Sequence, residues 1–100
     1  MKKPDIEAII TCERSNAFYN GYRPAHLVKE DYLTTGIHYY YNREKVSFGE
    51  SALGTITFIS PEAYPNCLIE GKRINIQEGS KIVGYATVVK IFNEMLRIKE

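Results

Sequence analysis

Apolar and polar residues alternate along most of this chain with the period of a β-strand. In 5–12, Ile6, Ala8, Ile10 and Cys12 share one face, with Glu7, Ile9 and Thr11 on the other. In 73–77, Ile74 and Ile76 alternate with Arg73, Asn75 and Gln77. Glu78-Gly79-Ser80-Lys81 then supplies turn chemistry, because glycine accepts the positive φ of a tight hairpin, and a long strand over 82–92 follows. Segments 22–28, 37–41 and 53–59 complete about six predicted strands. Pro24 lacks a ladder donor, so it marks an edge, a bulge or a strand start. Ile37, Tyr39 and Tyr41 fall on one face of 37–41, and His38 and Tyr40 on the other. The polar run Glu13-Arg14-Ser15-Asn16 reads as a turn or a loose excursion.

Segment 82–92 is apolar on both faces. Val83, Tyr85, Val89 and Ile91 stand opposite Ile82, Ala86, Val88 and Phe92. One face can fill a barrel, and the other then needs a cover. Two covers are consistent with the chain: a protein partner or second copy, or the tail 93–100 folded back through Met95, Leu96 and Ile98. A length of 100 residues fits one domain, with the barrel over about 5–92. A content of 44% hydrophobic and 25% charged residues argues for a globular fold.

Three segments carry a family resemblance. The run from Gly71 to Gly84, through Glu78-Gly79 and Val83-Gly84, resembles the C-terminal strand pair of the third domain of elongation factor Tu. Upstream and in order, Gly21-Tyr22-Arg23-Pro24 resembles that domain's GYRP segment. Val46-Ser47-Phe48-Gly49-Glu50, with 55–61 after it, resembles its turn, apolar strand and following proline. The resemblance spans about 5–92 and implies a small six-stranded antiparallel β-barrel. Two departures stand out: 25–35 differs from the factor's strand there, and Phe48 takes the place of a usual proline. These residues include no nucleotide-binding domain and no second barrel, so the resemblance implies neither GTP hydrolysis nor delivery of aminoacyl-tRNA.

Candidate chemistry is sparse. The two histidines, His26 and His38, have no cysteine or second histidine at ligand spacing, whereas a zinc site normally needs four ligands. Glu30-Asp31 near His38 reads as a solvated pair of acids in a loop, and neither a Gly-x-Ser-x-Gly elbow nor a phosphate loop is present. No catalytic, cofactor or metal residue is therefore assigned, and no enzyme activity is expected. Cys12 reads as a buried hydrophobe, Cys67 as a partly exposed loop residue, and the pair as no disulfide framework. Arg23 is expected to pair with Glu50 or Glu78 and close the barrel's end. The N-terminal Met1-Lys2-Lys3-Pro4-Asp5 has no signal-like apolar run, so a cytoplasmic protein that binds neither membrane nor nucleotide is expected.

The formal charge of +1 lacks the footprint of a nucleic-acid binder. A loose basic set of Arg23, Lys72, Arg73, Lys81 and Lys90 remains, and the aromatics of 39–41 resemble a stacking platform only in part, since Tyr39 and Tyr41 alone share a face. Candidate contact residues are thus Tyr22, Arg23, Tyr39, Tyr41, Arg73, Lys81 and Lys90. The expected function is a non-enzymatic protein-interaction module. By analogy with the factor, it would act as an immunity or decoy protein toward a toxin or a translation-related partner. An RNA-binding module for tRNA or rRNA is the alternative.

Overall fold

The computed structural model describes residues 3–99. Met1, Lys2 and Glu100, which belong to the N-terminal and tail segments read above, lie outside it. Among the described residues eight strands form: β1 (Ile6–Cys12), β2 (Phe18–Tyr19), β3 (Ala25–Lys29), β4 (Tyr32–Tyr40), β5 (Lys45–Val46), β6 (Ser51–Phe58), β7 (Arg73–Glu78) and β8 (Lys81–Ile91). Six close into an antiparallel barrel in the order β1-β6-β4-β3-β7-β8, and β2 pairs with β5 as a separate ribbon. The barrel is the expected all-β architecture.

Local chemistry sets the boundaries. β3 starts only after Pro24, so 22–24 is not strand. β4 begins earlier than the period-two reading, because Glu30-Asp31 make a two-residue turn in which Asp31 takes φ 59°. At the β7–β8 hairpin Glu78 pairs with Lys81, and Gly79 supplies the positive φ of 61° that its turn requires.

The core is filled from every wall: Ile6, Ala8, Ile10 and Cys12 from β1, Ile56 and Phe58 from β6, Ile74 and Ile76 from β7, and Val83, Ala86, Val88 and Ile91 from β8. This corrects the faces read for 82–92. Register shifts at Ile76/Gln77 and at Glu7/Ala8 each insert one residue, so Val83, Ala86 and Ile91 all turn inward despite their unequal spacing. At Gly84 the barrel wall is so tight that a Cβ would collide with the Thr11 carbonyl.

The tail does fold back, but over an end of the barrel. Buried Asp5 accepts from the Phe58 N–H at 2.7 Å and from the Asn93 amide at 2.9 Å. Leu96, in the short 3-10 helix Glu94–Leu96, is fully buried, and its carbonyl accepts from Cys67 and Leu68. Met95 and Ile98 stay exposed. The outer wall formed by β1, β6 and β4 keeps Ile9, Leu53 and Tyr39 in solvent.

Candidate functional site

Two features stand out, one outside the barrel and one inside it, and β4 carries both. Its outward residues Ile37 and Tyr39 lie beside Thr57 and Thr55 of β6. Together with Pro4, Tyr41 and Phe92 they line an open groove of about 700 Å³. Its most prominent wall is aromatic, with Tyr39 56% and Phe92 44% exposed. Tyr41 is oriented by donating to the Glu7 carboxylate at 2.8 Å. Among the described residues this wall joins further exposed apolar side chains, Ile9 and Leu53, on the neighbouring rungs.

The inward residue between Ile37 and Tyr39 is His38. It corrects the reading of two unrelated histidines, because barrel closure brings β3 beside β4 and sets His26 Nε2 2.8 Å from His38 Nε2. Both rings are fully buried. Their protons can be assigned. His26 Nδ1 lies 3.3 Å from the Thr34 carbonyl oxygen, which only accepts, so Nδ1 carries the hydrogen. In a neutral ring Nε2 is then bare, and His38 Nε2–H donates to it. That leaves His38 Nδ1 bare to accept from the Tyr40 hydroxyl at 2.9 Å. The relay runs one way, from Tyr40 through both rings to Thr34. Burial lowers the pKa of His26 to about 4, and it lowers His38 well below the ordinary value, with His26 adding to the effect. Both rings are neutral at pH 7. Sequence spacing hid this pair, since the two residues meet only through the β3–β4 register.

Around the pair, Phe18 and Tyr22 pack on His38, and Phe58 packs edge-on against His26. Tyr22 is therefore a half-buried wall residue and not a free contact. Its hydroxyl donates to Glu78, and burial, then that bond, raises its pKa. Arg14, in the run read as a loose turn, completes the arrangement. Its guanidinium sits 4.6 Å from the Tyr22 ring centroid, pairs with Glu78, and donates to the Ala17 carbonyl at 2.8 Å. Glu50 is held by Arg43 at 2.8 Å. Arg14 and Arg43 thus take the two carboxylates expected to pair with Arg23, which points to solvent.

The remaining basic candidates are not brought together. Arg73 stacks 4.0 Å from the Tyr85 ring centroid. Lys81 and Lys90 sit near opposite ends of β8, roughly 30 Å apart at strand rise. Lys72 turns inward, and its Nζ donates to the Val28 and Cys67 carbonyls at 2.8 and 2.7 Å. Cys67 is buried, not partly exposed, because the returning tail covers it, and both cysteines are free thiols. Glu30 and Asp31 are exposed at the β3–β4 turn, away from buried His38. No cluster of three or more His, Cys, Asp or Glu that could hold a metal occurs among the described residues, and no helix among them is long and apolar enough to cross a membrane. The chain matches no family model.

Proposed function

We propose that this protein is a non-enzymatic interaction module that binds a protein partner through the outer groove of β4 and β6. The observation that carries the proposal is the uncovered aromatic wall of Tyr39, Tyr41 and Phe92 on a barrel whose tail caps an end instead. Tyrosines supply large contact area at low entropic cost, and a few of them commonly dominate an interface. Ile37 and Pro4 provide the apolar floor, while Thr55 and Thr57 offer hydroxyls for orientation. The scattered arrangement of Arg23, Arg73, Lys81 and Lys90 offers little to a phosphate backbone, whose binding rests on clustered cations. In the specific version, resemblance to the third domain of elongation factor Tu makes the module a cytoplasmic decoy or immunity protein. It would occupy a toxin or translation-related protein that normally engages the factor.

The test is affinity capture by tagged protein from its native lysate, with and without nuclease, set beside a Tyr39→Ser/Tyr41→Ser variant. A protein retained after nuclease and lost with the variant is the expected result. Loss of two anchors, each a hot spot of about 2 kcal/mol, should weaken binding by about a thousandfold. Nuclease-sensitive recovery of tRNA or rRNA, equal for both proteins, overturns the proposal in favour of RNA binding.

A further inference from the structure

We propose that the His26–His38 pair is a proton-operated latch on β3: one proton taken up from solvent releases β3 from β7 while the rest of the barrel wall stays paired.

The geometry leaves no room for a silent protonation. Two ring nitrogens 2.8 Å apart share one hydrogen. An added proton can enter at either bare nitrogen, His26 Nε2 or His38 Nδ1, because His26 Nδ1 already donates to the Thr34 carbonyl. By either route His38 Nδ1 ends with a hydrogen aimed at the Tyr40 oxygen, and the Tyr40 hydroxyl loses its acceptor. The pair can hold a proton only by turning the Tyr40 hydroxyl away from His38.

Nothing facing the pair offsets the new charge. From β4 it meets the neutral hydroxyls of Tyr40 and, through Thr34, Tyr64. From β2 and the segment before β3 it meets Phe18 and Tyr22. From β6 come Phe58 and, beneath Gly36, Ile56. β1 brings the Cys12 thiol, and β7 and β8 bring Ile74, Ile76, Ala86 and Val88 to the core. The carboxylates in reach of this shell are already committed: Glu78 lies behind Tyr22 and is paired with Arg14, and Asp5 is held by Phe58 N–H and Asn93. A buried cation without an acid is expelled to water.

The route out is the weakest seam. β3 meets β7 at two register pairs, Ala25 with Gln77 and His26 with Ile76, and the second adjoins a bulge. β1 meets β8 at seven. Past His26, β3 is strapped by the Lys72 ammonium to the Val28 carbonyl. Separation of this seam wets His26 without disturbing β1.

Amide hydrogen exchange on the full protein at pH 7 and pH 5, corrected for intrinsic rates, tests the latch against a variant carrying His26→Gln and His38→Gln. Glutamine keeps a donor and an acceptor at each position and removes the titration. With His26 lowered to about 4 when closed and ordinary when open, protection of β3, Ile76 and Gln77 should fall about twentyfold or more, and at both pH values it should lie well below that of β1, β6 and β8, which exchange only through global unfolding. The variant should show no such fall. Protection of β3 equal to that of β1, β6 and β8, an unchanged β3, or the same fall in the variant overturns the proposal. Should the variant not fold, ring nitrogen shifts of the unaltered protein at pH 7 decide. The latch requires His26 protonated at Nδ1 and His38 at Nε2, and any other pair of tautomers sinks it.

Discussion

Replacing Gly36 by alanine should cost this barrel about 3 kcal/mol, although the residue sits on an extended strand that tolerates alanine elsewhere. A Cβ at this position would meet Ile56 Cγ2 at 2.7 Å and His26 Cε1 at 2.9 Å. Both neighbours must retreat by roughly half an ångström or more to reach ordinary contact. Neither has room to do so. Ile56 is fully buried, and the His26 ring is pinned at both nitrogens, to Thr34 and to His38. Overpacking of a tight core costs about 1–3 kcal/mol, and a strained buried hydrogen bond adds about 1 kcal/mol. With a urea slope of about 1.5 kcal/mol per molar, the midpoint should fall by about 2 M. The assay is equilibrium unfolding by tyrosine fluorescence and circular dichroism, repeated in a His26→Ala background. With the ring gone one of the two clashes is removed and Ile56 gains room to yield, so the alanine should cost at least about 1 kcal/mol less there. A loss below about 1 kcal/mol, or strict additivity of the two substitutions, refutes the claim that His26 is wedged in place.

Three further outcomes follow from the same contacts. The unfolded chain protonates its histidines near pH 6.5, whereas the folded pair resists. Stability is therefore complete above about 6.5 and declines as pH falls toward about 4, by about 2 kcal/mol from His26 at pH 5 in urea titrations, with His38 adding to the fall in the same direction. A flat profile between pH 7 and 5 contradicts the neutral buried pair. Lys72→Met leaves the Val28 and Cys67 carbonyls without their donor, and unfolding should show a loss of about 2 kcal/mol. Burial raises the Cys67 thiol pKa, and the Cys12 thiol is equally enclosed. An aromatic disulfide reagent should therefore react with both only at the rate of unfolding, and a fast phase in native buffer would show that one of them is accessible.

The barrel was legible because its strands obey the period-two rule wherever one face is wet. Ile6 to Cys12 and Arg73 to Gln77 are the clearest cases, and the Gly79 turn joins the last two strands as its chemistry demands. The rule failed where register shifts add a residue, which is why the inward set of β8 was assigned wrongly. Half of the candidate site was visible too: Tyr39 and Tyr41 share an outer face because strand geometry forces it. The other half was not. His26 and His38 are 12 residues apart, and only β3–β4 pairing sets their rings in contact. Arg14 was hidden for a related reason, since its partners Tyr22 and Glu78 come from distant segments that converge at one end of the closed barrel.

The groove's role as the binding face is tested most directly by photo-cross-linking in native lysate after nuclease treatment. One protein carries a photoreactive phenylalanine in place of Tyr39, on β4. A second carries it in place of Tyr85, on β8 at the opposite side of the barrel. The groove account predicts a discrete protein adduct from position 39 and none from position 85. Adducts of equal yield from both positions, or from position 85 alone, would contradict it.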